Sequence, residues 1–543
     1  MRFKPRAFTL SIIILLLTTT TANADYSPQA RSSWEPNGTV FAIQRGTSRV
    51  FLGGSFTSLH NRRTGETVAA TRLAALDAAT GDLIRDWRPT ASDTVYDLAL
   101  SPDEQRLWAA GRFTTISGTT RYRLAVLDPE TGAVDAGWTT GANNAVRALA
   151  LTGGRLYAGG DFTSAGGTAR ARLAAMDATT GALDAAWNPG ATSTVYALEP
   201  TPDGTAVLVG GRFRTLGGQP RDHLGAVDAI SGAVTGWTPP PGCVNTNNPC
   251  FVWDLAVMDG RAFAAVSGPG GRLLGYSLSS GARLWQVYAD GDVESVSALD
   301  GKVYAAGHFA PAFGTTTRSG LAAVDAVTGA VDPSFAPRLS GTLSTYAVDA
   351  GPDFLRVGGA FQQVNSQAKT RYAEFPVLPP LTVVVPAGAT WRYDASGADL
   401  GTAWREEAFD DSAWQGGPAQ LGFGDGDEAT ALPFGRMTYY LRHTFSVADP
   451  AALTQATVDL VRDDGAIVYV NGVEVFRSNL PAGPVTASTP ASATVGGTDE
   501  SAWRTQPISP SLLHAGVNTI AVEVHQAAAN SSDLSFDARL SVR

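Results

Sequence analysis

Between residues 34 and 376 the chain repeats itself with a period of about 50 residues, and self-similarity on that scale narrows the fold more than any other feature. A GGxF-like step recurs at Phe56, Phe113, Phe162, Phe213, Phe309 and Phe361, with a degenerate copy at Ser267-Gly268. An LAALD-type step follows, ending at Asp77, Asp128, Asp177, Asp228 and Asp325, with Ser277 in the degenerate copy. TGxxxxxW then closes each unit at Trp87, Trp138, Trp187, Trp237 and Trp285, with Phe335 in the sixth.

Each unit also opens on a V-x-A-L segment, and the Gly pairs and TG turns punctuate four short strands per unit. Four-stranded units of this length cannot bury both faces alone, so they are expected to stack as the blades of a β-propeller. V-x-A-L segments start at Val40, Val95, Val146, Val195, Val252, Val296 and, with Thr for Val, Thr345, which predicts seven blades. The last unit lacks a closing Trp while Trp34 stands orphaned before the first. An N-terminal strand is therefore expected to complete the last blade, because natural sheets avoid unpaired edges.

The repeat resembles that of secreted bacterial propellers reading V-x-A-(L/I/V), GG-x-F, L-A-x-x-D and D/G-x-x-W/F, a group without assigned function. RLLGYSLSSGARLWQ, LAALDAATGDL and LAAMDATTGAL are also similar to quinoprotein-type and kelch-like repeats. The resemblance implies a fold and is silent on activity, because the repeated residues are those that build a blade.

Pro376, Pro379, Pro380 and Pro386 bracket LTVVV, after which the period vanishes; 379–387 reads as a Pro-rich linker between a 25–378 propeller and a 388–543 domain. The remainder alternates in TYYLRHTFSV, ATVDLVRDDGAIVYVNGVEVFR and GVNTIAVEVHQ, with Asn471-Gly472 as a hairpin turn, and predicts a β-sandwich. FDDSAW (Phe409 to Trp414), LGFGDGD, DDGAIVYVNGVEV and SSDLSFD resemble the galactose-binding-like jelly rolls attached to extracellular bacterial proteins. That resemblance implies sugar binding, a structural calcium, or a spacer role. The fold class expected for the whole chain is all-β.

Residues 1–24 carry Arg2, Lys4 and Arg6, an apolar run from Phe8 to Leu17, and Ala22-Asn23-Ala24, the pattern of a cleaved secretory signal peptide. No later stretch reaches the roughly 20 apolar residues of a spanning helix, so no membrane insertion is expected. Losing the leader takes the formal charge from -10 to -13, which disfavours nucleic acid as a partner. The expected location is extracellular or at the cell surface, or the periplasm of a diderm bacterium, and the expected state is a monomer. In an oxidising compartment, Cys243 and Cys250 in a Pro/Asn/Gly-rich loop are expected to form a disulfide.

Candidate sites are few. Asp463 and Asp464 would set two carboxylates at a loop edge, for sugar hydroxyls or a calcium ion, or would merely cap a turn. Asp425, Asp427 and Glu428 lie on a Gly-flexed loop that suits calcium or is a solvated acidic loop. The second V-x-A-L position is aromatic at Phe41, Tyr96, Tyr196, Trp253 and Tyr346, with Arg147 and Ser297 as departures. It is either interblade core or a ring of stacking platforms. Arg147 and Trp253 are thus the propeller's ligand-binding candidates.

The six His residues have no zinc spacing, and there is no GxSxG, P-loop or dinucleotide fingerprint. No catalytic residue is assigned. The reading that follows is a secreted, non-catalytic binding protein engaging glycans. Its alternatives are a polysaccharide hydrolase or lyase, with acids such as Asp290, Asp292 and Glu294, and a scaffold for a surface protein.

Overall fold

A computed structural model describes residues 25–31, 33–240, 242, 250–268, 270–340 and 344–543. The expected signal peptide, residues 1–24, and Cys243 of the expected disulfide lie outside them; Cys250 is buried. The chain divides into two compact units, 1–378 and 379–543. Both are all-β: among the described residues there is no α-helix, only four three-residue 3₁₀ turns. Among these residues no helix is long and apolar enough to cross a membrane.

Among the described residues the first unit holds seven principal antiparallel sheets in chain order, none of which closes on itself, and six small sheets of two or three short strands between them. Their first strands are Val40–Arg45, Val95–Leu100, Val146–Thr152, Val195–Pro200, Phe251–Met258, Val293–Leu299 and Thr345–Ala350. Each neighbours the first strand of the next sheet, and Thr345–Ala350 neighbours Val40–Arg45. The Gly of the GGxF step explains this closeness. A β-carbon at Gly159 would lie 2.5 Å from Val195 Cγ1 of the following sheet, and one at Gly358 would lie 2.6 Å from Val40 Cγ1. The Gly–Val pairing is therefore a packing rule between units, not within them.

The four-strand expectation needs correction. Six of the principal sheets have three strands, and only the fifth has a fourth, Arg283–Tyr288. Elsewhere the segment after the TG turn touches its sheet at one bridge, as at Leu76–Leu83 and Met176–Leu183. Its Trp ties the next unit whether or not the segment pairs: the indole N–H groups of Trp87, Trp187 and Trp237 donate to the carbonyls of Asp128, Asp228 and Ser277 at 3.1–3.2 Å, and Trp285, within the fifth sheet's fourth strand, donates to that of Ala326 at 3.1 Å.

The N-terminal segment runs along the seventh sheet, with antiparallel bridges Tyr26–Val377 and Arg31–Glu374. Trp34 belongs instead to a strand, Trp34–Pro36, paired with Ser58–Asn61. The Arg before each LAALD strand sits at positive φ (Arg72 at 68°, Arg172 at 70°), which is why Gly320 can replace it. Its guanidinium donates to backbone carbonyls, Arg72 Nη1 to Ser55 and Phe56 at 3.0 Å, so it is a structural tie.

The second unit is two six-stranded sheets. One contains Leu534–Val542 and Ala456–Arg462, the other Thr438–Val447, Gly516–His525 and Gly465–Val470. Trp391, Tyr439, Leu441, Val468 and Val522 from the second sheet and Val458, Phe536 and Leu540 from the first form one buried core. Residues 379–387, expected as a linker, contribute the strand Thr382–Val385, paired with Leu534–Val542: the β-branched run finds an open sheet edge.

Candidate functional site: the channel of the first unit

All seven first strands carry the same irregularity. Pairing with the second strand skips one residue, between Val40 and Ala42, Val95 and Asp97, Val146 and Ala148, Val195 and Ala197, Val252 and Asp254, Val293 and Ser295, and Thr345 and Ala347. A bulge of this kind re-aims the skipped side chain. The skipped residues are Phe41, Tyr96, Arg147, Tyr196, Trp253, Glu294 and Tyr346, and all seven line one recess of about 400 Å³.

This corrects the reading of the sixth unit. The sequence places its V-x-A-L at Val296 with Ser297 as the departure, whereas the pairing of Val293 with Gly307 puts Glu294 there. A three-residue slip hid the acid because VESVSAL offers two valines at compatible spacing. Ser297 faces the next sheet and accepts from Ala350 N at 3.0 Å.

Six of the seven side chains form a chain of contacts from Tyr346 to Trp253. Ring centroids are 5.0 Å apart for Phe41–Tyr346, 5.5 Å for Phe41–Tyr96 and 4.5 Å for Tyr196–Trp253. The Arg147 guanidinium fills the gap, 4.9 Å from the Tyr96 ring and 5.2 Å from Tyr196. It is held by Asp161, which accepts from Nε at 2.8 Å and is itself fixed by the Thr194 hydroxyl at 2.7 Å. Except for the buried Glu294, these side chains are half-buried, so interblade packing alone does not absorb them. The Trp253 indole N–H has no partner within the protein.

Beneath this layer lie carboxyls. Asp97 accepts from Leu98 N and from Leu149 N of the next sheet, and Asp254 accepts from Leu255 N, Val296 N and the Ser295 hydroxyl. Burial pushes Asp97 up to about 7 and Asp254 up to about 6. Burial and the charges of Asp254 and Asp97 push Glu199 up to about 8. The folded state thus holds these protons more tightly than the unfolded chain, and the stability they lend is full below about pH 4 and lost as pH rises through 6 to 8. Glu199→Gln is expected to raise the melting temperature at pH 8.5 and leave it nearly unchanged at pH 4; equal shifts at both would refute this.

In the second unit Asp463 and Asp464 are buried, not displayed at a loop edge. Asp464 is consumed by the amides of Val495 (2.6 Å) and Ala527 (2.7 Å). Neither oxygen of Asp463 accepts from a donor group of the protein, and burial, with the adjacent Asp464 carboxyl, raises its pKa well above the usual carboxylate range. Asp425, Asp427 and Glu428 do cluster, but the two Asp are exposed and the Glu428 carboxylate accepts the loop's own amides, Asp425 N at 2.8 Å and Gly426 N at 3.0 Å.

No family model matches the chain, and no curated protein matches it. Among solved structures it is similar to the computationally designed Ika8 protein (13% identity, 64% of this chain and 96% of that one, TM-score 0.41). It is similar to the WD40 β-propeller domain of Doa1 (12%, 66% and 98%, TM-score 0.43) and to U3-55K (13%, 65% and 99%, TM-score 0.42).

Proposed function

We propose that the chain is a secreted, non-catalytic binding protein that recognises glycans at the mouth of the first unit's channel. In this reading the seven sheets are the blades of a seven-bladed β-propeller, and the second unit is a galactose-binding-like jelly roll. The observation that carries it is the bulged layer: five aromatic rings, one guanidinium and one carboxylate around a recess of about 400 Å³. That volume is at the small end of ligand pockets, room for about two sugar rings. Aromatic faces stack on the C–H faces of sugars, while the Tyr hydroxyls and Arg147 offer donors to ring hydroxyls. The test is saturable binding of the full chain to a glycan array, repeated with channel variants.

A polysaccharide hydrolase has one point in its favour, the acids Asp97 and Asp254 lining the recess, with Glu199 near enough to feel both charges. Against it, Asp97 and Asp254 spend their oxygens on amides and a hydroxyl that join successive sheets. Turnover of a bound polysaccharide that Glu199→Gln abolishes would move the assignment to that class.

For the second unit, the orphaned oxygens of Asp463 suit a calcium ion, with Asp533 and Glu500 adding negative charge. The ion's part is structural: it would hold Asp463 as a carboxylate. Calcium is expected to raise a melting transition of the full chain, chelator to lower it, and Asp463→Asn to abolish the difference. A wild-type transition indifferent to calcium would remove the ion from this reading.

A further inference from the structure

We infer that Asp292, Glu294 and His308 form a site for a divalent transition-metal ion of the zinc class at the edge of the channel. One ligand atom from each residue lies within 4.8 Å of the others. The carboxylates flank Val293 at the start of the sixth sheet's first strand, and His308 directly follows the second strand, Lys302–Gly307. The pairing of Val293 with Gly307 brings them together across the hairpin.

Two departures from the repeat coincide here. The bulged position holds a carboxylate only at Glu294, and the variable residue of the GGxF step is His only at His308. The third sheet shows what the same juxtaposition does when it is an ion pair: Arg147 and Asp161 meet at 2.8 Å. Glu294 Oε1 and His308 Nδ1 stay 3.5 Å apart. That is long for a charge-assisted hydrogen bond of roughly 2.7–2.9 Å. It is close to the edge, about 3.4 Å, of a tetrahedron with zinc–ligand bonds of about 2.1 Å.

The independent mark is Glu294 Oε2. Glu294 is 8% exposed, and this oxygen is buried without a hydrogen-bond partner. An orphaned buried acceptor is costly, and a cation removes the cost. Asp292 is oriented by Gly268 N, which donates to Oδ1 at 2.8 Å, the outer support usual for a metal ligand. The His308 side chain is 47% exposed, so an ion has a path in, and three protein ligands leave a coordination position for water or a ligand hydroxyl. Sequence spacing could not show this, because the His lies on the far side of a hairpin from the acids.

The inference is independent of the glycan reading, and its test uses no sugar. Full chain stripped by chelator is titrated with Zn²⁺ by calorimetry, and with Co²⁺ while visible absorption is recorded. One ion per chain is expected, with the intense Co²⁺ bands of a four-coordinate site. His308→Ala and Asp292→Asn should each weaken binding at least tenfold and erase the bands. His514→Ala, at an exposed His–Glu pair, should leave both unchanged. Circular dichroism confirms that the variants fold, and His308, half exposed, is replaceable even where Glu294→Gln is not. No stoichiometric binding, equal binding in His308→Ala, or loss in His514→Ala would each overturn the site, the last by showing an adventitious ion only.

Discussion

Glu374→Gln is expected to destabilise the first unit by about 3–5 kcal/mol, the cost of removing one partner from a buried ion pair. Glu374 and Arg356 are both fully buried and meet at 3.3 Å. Glu374 also accepts from Arg31 Nε at 2.8 Å and from the Tyr372 hydroxyl at 2.9 Å. Arg356 donates onward to Asp353 and to the carbonyl of Ala78 in the first sheet at 3.1 Å. This carboxylate therefore joins the N-terminal segment, the seventh sheet and the first. The amide would leave the Arg356 charge short of a partner where water cannot replace it. Glu130→Gln breaks an ion pair too, with Arg49, but Glu130 is 69% exposed and the loss should be within ~0–1 kcal/mol. Denaturant unfolding of both variants decides the matter; losses of similar size would show that the closing network is not what holds the unit together.

Trp253→Ala is expected to weaken glycan binding about 10- to 100-fold, ~1.4–2.8 kcal/mol, in line with truncating an aromatic anchor in a recess. Trp253 packs on Tyr196 and Phe251, so its loss removes a stacking face held in place by two other rings. Tyr96→Ala should cost less directly but also strips one face from Arg147, and Arg147→Gln should spare neutral glycans more than acidic ones. Measured affinities of folded variants, checked by their melting temperatures, provide the comparison. Unchanged affinity in both Trp253→Ala and Tyr96→Ala would take the site out of the channel.

Much of this was legible beforehand. The GG and Trp steps mark where strands turn and where units touch, and four units make each contact: Gly on the next Val at Gly53, Gly159, Gly210 and Gly358, and Trp on the next carbonyl at Trp87, Trp187, Trp237 and Trp285. The aromatic second position of V-x-A-L was visible too, but not its direction. Alternation along a strand would bury it between sheets, and only the bulge turns it into the channel.

Glu294 was misread for the same reason. Two valines three residues apart offered two registers, and only pairing with Gly307 selects one. Asp463 was misjudged because polarity suggests a loop edge, while its neighbours in space bury it.

The all-β character, the repeat period and the first three strands of each unit were thus determined by the sequence alone, because turns and strand periodicity are local properties of the chain, whereas the pairing of the segment after the TG turn and of Thr382–Val385 was not. Which side chains share a recess, and which carboxylates are left without partners, was decided by tertiary structure. Those are properties of register and of contacts between residues tens to hundreds of positions apart, and a one-residue skip changes the face to which a side chain belongs.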